Sequence, residues 1–208
     1  MMANIVIEFF GKGGPVMYPI LIAALVAVAV VGERAFWWFR ESRRRDPRSL
    51  EQVLAALENS DVTAALKVAG CSQDPVVRMI FRGLSHVHGS MEGALQLAAG
   101  IELERAGRFL TVMDTLVTLA PLLGLLGTVT GLMNAFLKVG NEELAVGAVT
   151  GGIGEALIAT ACGLGIAIFT LIPFNYFTAK VTRLQFELET AASNVEVMVK
   201  SGKLDVTK

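Results

Sequence analysis

The chain has 208 residues, 53% of them hydrophobic and only 18% charged, and its formal net charge is −1. Soluble domains carry about 25% charged residues, so this composition excludes an ordinary soluble globular protein. The balanced charge gives no reason to expect a nucleic-acid partner, but Arg43, Arg44, Arg45 and Arg48 crowd one short stretch, which carries topological information beside an apolar span.

The first predicted element is a transmembrane helix at residues 15–39, preceded by a short periplasmic segment, residues 1–14. Residues 13–32 contain no charged side chain. A helix of about 20 residues covers the roughly 30 Å hydrocarbon core of a bilayer. No small-residue cleavage site follows this apolar segment, so we expect no removable signal peptide.

A cytoplasmic helical region is predicted at residues 40–110. Asp46-Pro47 and Asp74-Pro75 each place an N-cap residue before a proline at the first helical position. Apolar residues follow both dipeptides at helical spacing. These signals predict helices rather than strands throughout the region.

Two further transmembrane helices are predicted at residues 111–138 and 146–178. They are joined by a periplasmic loop, 139–145, and followed by a cytoplasmic C-terminal helix and tail, 179–208. Because no proline follows Met91 before the middle of the second span, we expect the last cytoplasmic helix to run unbroken into that span. The predicted fold is an all-α integral membrane protein with three transmembrane helices and long helical cytoplasmic extensions.

The basic side chains determine the predicted orientation. The arginine cluster follows the first span, whereas the connection after the second span has Lys138 against Glu142 and Glu143. The positive-inside rule therefore places the first connection and the C-terminal tail in the cytoplasm. The N-terminus then lies in the periplasm.

Glu155 is the most informative residue of the third span, because it is the only charged side chain between Leu144 and Ala179. A carboxylate at the bilayer centre costs about 2.5 to 3.5 kcal/mol even on lenient insertion scales. We therefore expect a functional role for Glu155. The alternative is a structural carboxylate that is hydrogen-bonded to a neighbouring helix.

Small residues crowd the second and third spans, which predicts close helix packing in lipid. The glycines assigned to packing are Gly124, Gly127 and Gly131 on the second span, and Gly147, Gly151 and Gly154 on the third. Both spans are typical of a tight protein bundle. For about half of these glycines the alternative is packing within one subunit.

Asp114, Thr118 and Thr128 follow one face of the second span and predict a polar stripe. Thr160, on the antiparallel third span, is expected at a depth near Thr128. A hydroxyl donates and accepts without carrying charge, which suits the wall of a proton path; alternatively, each threonine bonds to its own helix carbonyl. Glu155 and Thr160 are about 140° apart around a helix, so they cannot both face one narrow lumen.

We expect no enzyme active site, cofactor or metal centre. Cys71 and Cys162 lie in different kinds of segment, and His86 and His88 are separated by about 200° on a helix. The sequence has no convincing Ser-His-Asp or Cys-His arrangement, and its glycine-rich pieces lack the spacing of a nucleotide-binding loop.

Two stretches resemble signatures of the MotA/TolQ/ExbB proton-channel family, and of its ExbB-like members in particular. Residues Ala120 to Phe136 read APLLGLLGTVTGLMNAF and resemble the second-span signature. Residues Gly151 to Gly163 read GGIGEALIATACG and resemble the third-span signature. The resemblance covers the whole architecture, although the cytoplasmic helices match only in size and helicity.

The resemblance implies a homopentamer in the lipid of the bacterial inner membrane, around the single transmembrane helices of an ExbD- or TolR-like partner. Protons that enter through the partner's aspartate would drive relative movement and power work at the outer membrane, with a TonB- or TolA-like protein as a further partner. The family's intramembrane glutamate falls on Glu155, and its pore-facing threonines fall on Thr128 and Thr160. The alternatives are a passive membrane scaffold and a MotA-like stator that drives motility.

Overall fold

The structure, a computed structural model, describes residues 13–85, 90–137 and 145–200. This part of the chain contains seven helices and no strand, which confirms the predicted all-α class. In chain order the helices are α1 (Met17–Ser42), α2 (Pro47–Glu58), α3 (Val62–Cys71), α4 (Pro75–Ser85), α5 (Met91–Gly107), α6 (Leu110–Leu137) and α7 (Ala145–Lys200).

Several sequence expectations fall outside the described residues. They concern the periplasmic segment up to residue 12, residues 86–89 with both histidines, residues 138–144 of the second connection, and the tail from residue 201.

The helices form two compact units. The first unit, here called the membrane unit, contains the residues up to Arg34 together with Phe109–Tyr176. The second, here called the helical unit, contains Ala35–Arg108 and the residues from Phe177 onward. Helix α7 supplies residues to both units, because its 56 residues span about 84 Å.

The membrane unit is built from apolar helices that bury small residues inside and expose large ones outside. Helix α1 contributes Ala23 and Ala27 to a buried cluster with Leu116 of α6. Large apolar side chains such as Leu25 and Phe136 are 63% and 70% exposed. Because the three longest apolar helices are long enough to cross a membrane, this inside-out pattern fits a unit surrounded by lipid.

The predicted unbroken helix from Met91 into the second span is wrong. Helix α5 ends at Gly107, and Phe109 adopts a left-handed backbone conformation with φ of 64° before α6 begins at Leu110. A bulky residue with positive φ interrupts the helical hydrogen-bond ladder. Proline spacing could not indicate this break, since neither residue of the turn is a proline or a glycine.

Two helices of the helical unit, α2 and α4, begin where the sequence predicts. Asp46 caps α2 by accepting hydrogen bonds from the backbone N–H of Ser49 at 3.2 Å and from its hydroxyl at 2.6 Å. The Ser49 hydroxyl is the main reason that the pKa of Asp46 is lowered. Asp74 accepts from the N–H of Val76 at 2.9 Å at the start of α4. Both predicted aspartate-proline helix starts are thus confirmed.

A buried ion network joins three helices of the helical unit. One terminal nitrogen of Arg78 on α4 donates to Glu102 on α5 at 2.6 Å and to Glu41 at the end of α1 at 3.0 Å. Glu102 is 2% exposed and also lies 3.5 Å from Arg82 and 3.4 Å from Arg105. Burial lowers the pKa of Arg78, but the two carboxylates more than offset this and raise it above its usual value. Arg78 is therefore the cation shared by two buried carboxylates.

Replacing Arg78 by methionine is expected to destabilise the protein, because Glu41 and Glu102 each lose a charge-assisted hydrogen bond. We expect the free energy of unfolding to fall by about 1.5 to 3 kcal/mol. The unfolding temperature in detergent measures the change, and Arg40→Met on the exposed surface of α1 is the matched control. Equal unfolding temperatures for the two variants would contradict a stabilising role for the network.

Candidate functional site

Helices α6 and α7 approach each other closely through small residues. A methyl group added to Gly127 would overlap the Cβ atom of Ala159, and one added to Gly131 would lie 2.9 Å from the carbonyl oxygen of Gly152. At Gly124 an added methyl would lie 2.9 Å from the Cα atom of Thr160. The three glycines of α6 therefore all face α7. They let the two backbones pack closely, which stabilises helix contacts in lipid, where the hydrophobic effect does not.

The three α7 glycines assigned to packing lie elsewhere. Within the described residues, a methyl group added to Gly147, Gly151 or Gly154 would meet no heavy atom within 4 Å. The sequence did not distinguish these open glycines from Gly152, which faces Ala135 and Gly131 of α6.

Glu155 lies at the edge of this helix contact, one residue before the buried Ala156. Its side chain is partly exposed and lines a cavity of about 290 Å³. The cavity walls are Gly131, Asn134 and Ala135 of α6, and Gly147, Gly151, Gly152 and Glu155 of α7. The cavity is open on one side and has room for water, to which it offers a carboxylate and a carboxamide as polar partners.

The two threonines lie at similar heights but make different contacts. Because Ala159 faces Gly127, Thr160 and Thr128 differ by about 3 Å along the helix axes. The Thr160 hydroxyl lies 3.1 Å from the carbonyl oxygens of both Gly124 and Ala156, so it links α7 to α6. The Thr128 hydroxyl donates to Leu125 of its own helix at 2.7 Å.

Neither threonine lines the described cavity around Glu155. The structure therefore brings Thr128 and Thr160 to one level and places Glu155 in separate surroundings, in keeping with the angle expected between Glu155 and Thr160. Asp114 and Thr118 lie on the exposed surface of α6, where the Thr118 hydroxyl donates to the Thr115 carbonyl at 3.0 Å.

Comparison with known proteins shows which family the chain belongs to. Residues 72–190 match the MotA/TolQ/ExbB proton channel family. The chain belongs to this family. It is 37% identical over 85% of its length to the putative biopolymer transport protein ExbB-like 3 of Synechocystis, of which 86% is covered.

Two further relatives are similar to the chain over a larger share of its length. A second Synechocystis protein, the putative biopolymer transport protein ExbB-like 1, is 33% identical over 92% of the chain and 78% of its own length. The biopolymer transport protein ExbB of Salmonella typhimurium is 28% identical over 92% of the chain and 82% of its own length.

Membership of the family confirms the resemblance found in the two signatures, and the family consists of proton channels rather than enzymes. With its three apolar helices, the chain is a multi-pass protein of the bacterial inner membrane.

Sequence reasoning assigned no site role to three residues of the membrane unit. Asn134 shares the cavity with Glu155, although its place one turn beyond Thr130 on an apolar helix was a usable signal. Thr170 is completely buried and donates to the Ile166 carbonyl at 2.8 Å. Gly14 contacts the Glu155 side chain across 141 residues of sequence, a proximity that no local pattern indicates.

The closeness of α6 and α7 can be tested at Gly163. A methyl group there would overlap the carbonyl oxygen of Ala120 and lie 3.1 Å from the Cα atom of Gly124. Gly163→Ala is expected to lower the free energy of unfolding by about 1 to 3 kcal/mol, because backbone atoms of α6 would have to move. The unfolding temperature in detergent measures this.

Gly165→Ala is the matched control, since an added methyl at that position meets no heavy atom of the described chain within 4 Å. The two alanine substitutions share the same helix and the same gain in helix propensity. Equal stability of the two variants would mean that α6 and α7 are not in close contact at this level.

Proposed function

We propose that this chain is the multi-copy proton-channel subunit of a biopolymer-transport complex, which uses the proton motive force across the inner membrane to energise processes at the outer membrane. Its partner would be a single-span protein of the ExbD or TolR type, with a TonB- or TolA-like protein as a further component. The names of its relatives in Synechocystis and Salmonella typhimurium support the biopolymer-transport role.

The observation that supports this proposal most strongly is the carboxylate of Glu155, which lies on an open cavity between the apolar helices α6 and α7. Charged side chains within apolar membrane helices are rare and usually functional, so the carboxylate of Glu155 calls for a role beyond helix packing. Room for water beside Glu155 gives a proton a route to the side chain. A group that exchanges a proton with such water can take part in proton transfer.

The threonines fit the same proposal. Each hydroxyl uses its proton on a backbone carbonyl, but its oxygen keeps lone pairs that can accept a hydrogen bond. A protonated aspartic acid on a partner helix is a donor of the required kind. Thr128 and Thr160 would then line the path of the partner's aspartate, with Asp114 and Thr118 on the same face of α6 nearer its start.

An open glycine of α7 supports an assembly of several copies. Gly154 offers α7 a position at which another helix can approach closely, as small residues do in membrane bundles, whereas Gly147 and Gly151 line the Glu155 cavity. We propose a homopentamer. The N-terminus would lie in the periplasm and the C-terminus in the cytoplasm, as the arginine cluster after the first span favours.

The energy available is sufficient for a conformational step. One elementary charge that crosses about 100 mV releases roughly 2.3 kcal/mol. One or two protons can therefore bias a change of a few kcal/mol between the pentamer and its partner.

The role of Glu155 is tested by Glu155→Gln and Glu155→Ala. Both variants are expected to reduce proton flux by about 100-fold or more, because neither side chain can exchange a proton. Flux is measured with a pH-sensitive dye in proteoliposomes that contain the full chain and a coexpressed ExbD-like protein. Copurification of the two proteins confirms that the complex assembles.

Glu104→Gln, at an exposed position of α5, is the control for the loss of a carboxylate. Near-normal flux in Glu155→Gln would favour the passive scaffold, because an amide can still hydrogen-bond to a neighbouring helix.

The threonine wall is tested by comparing valine and serine substitutions. Valine keeps the shape of threonine but removes a hydrogen bond worth about 1 to 2 kcal/mol, so Thr128→Val and Thr160→Val are each expected to reduce flux by about tenfold. The serine variants keep the hydroxyl and should remain within about twofold of the original flux. The same proteoliposome assay applies.

Thr130 is the matched control, since its hydroxyl donates to Leu126 of its own helix at 3.0 Å and it lies off the proposed stripe. If valine were tolerated equally at all three positions, the hydroxyls would only form hydrogen bonds to backbone carbonyls. The polar stripe of the second span would then have no part in proton transfer.

A further inference from the structure

The Glu155 carboxylate rests on the backbone of Gly14. A methyl group added to Gly14 would overlap the Oε1 atom of Glu155, and it would lie 2.5 Å from the Cδ atom and 3.0 Å from the Cγ atom. Gly14 also has φ of 70°, a left-handed conformation that glycine adopts without cost and other residues disfavour. Two independent constraints, the close approach and the backbone angle, therefore require glycine at this position.

The turn that contains Gly14 is anchored to the helix that carries Glu155. The Gly14 carbonyl accepts a hydrogen bond from the N–H of Met17 at 3.1 Å, which closes the turn at the start of α1. Met17 and Val16 are buried in a cluster with Ala159 of α7, one turn beyond Glu155. The hydrogen bond within the turn and the packing of Val16 and Met17 on α7 together hold Gly14 close to Glu155.

We propose that Gly14 is a positioning residue for Glu155, and that the turn before α1 holds the carboxylate at the cavity shared with Asn134. This inference rests on the proposed proton-channel role of Glu155, but the geometry can be tested separately. The Glu155 side chain touches the turn on one side and lines the cavity on the other. A side chain at position 14 would take the space of the carboxylate and displace it from the turn toward the cavity.

The first measurement is the reactivity of the Glu155 carboxyl group. Purified full-length protein is treated with a water-soluble carbodiimide, and mass spectrometry follows the modification of residue 155. Gly14→Ala is expected to accelerate this modification by about threefold or more, because the carboxylate moves toward water. Gly32→Ala on α1 is the control, since an added methyl there meets no heavy atom of the described chain within 4 Å.

The second measurement is rescue by a shorter acid. Gly14→Ala is expected to reduce proton flux, and Glu155→Asp in the same chain is expected to restore it by about threefold or more relative to Gly14→Ala alone, because the shorter side chain withdraws from the added methyl. A purely structural defect at the turn would not be relieved by removing one methylene from residue 155.

The third measurement compares the stability cost of Gly14→Ala in two backgrounds. Glu155→Ala removes the overlapping carboxylate, so Gly14→Ala is expected to lower the unfolding temperature more in the original chain than in the Glu155→Ala background. Equal losses in the two backgrounds, or equal carbodiimide rates in Gly14→Ala and Gly32→Ala, would overturn the positioning role. Normal flux in Glu155→Gln would instead overturn the proposed function and leave the reactivity result standing.

Discussion

The membrane unit depends on the close approach of α6 and α7 through Gly124, Gly127 and Gly131. Burying an apolar side chain between helices gives no hydrophobic stabilisation in lipid, because the lipid tails are equally apolar. Close packing of the helix backbones must therefore stabilise the contact. This requirement explains why small residues are buried while large leucines and phenylalanines are exposed. It also fixes which residues of α7 face α6, and it leaves Glu155 at the margin of the contact, beside an open cavity lined by both helices.

The sequence was sufficient for features that depend on local composition. The three spans were predictable because charge-free apolar segments of bilayer length are characteristic of transmembrane helices, and the starts of α2 and α4 were predictable because Asp46 and Asp74 precede prolines. Glu155 was identified for a similar reason, since a single carboxylate in a long apolar helix stands out without knowledge of its neighbours.

Features that depend on distant neighbours could not be predicted in the same way. The contact between Gly14 and Glu155 and the hydrogen bond from Thr160 to Gly124 join residues far apart in sequence. The left-handed conformation of Phe109 was also hidden, because no residue type in that turn requires it. Spacing along one helix predicts a polar stripe on α6, but only the packed structure distinguishes glycines of α7 that face α6 from glycines that lie open.

The direction of the threonine hydrogen bonds has a consequence for what such a wall can bind. Both hydroxyl protons are committed to backbone carbonyls, so the exposed ends of these groups are electron-rich oxygens. In this arrangement the oxygens can accept a hydrogen bond from a neutral carboxylic acid, whereas an ionised carboxylate could bind only if a hydroxyl proton turned away from its backbone carbonyl. Hydroxyl groups held in this way therefore bind the neutral form of an acid more readily than its ionised form.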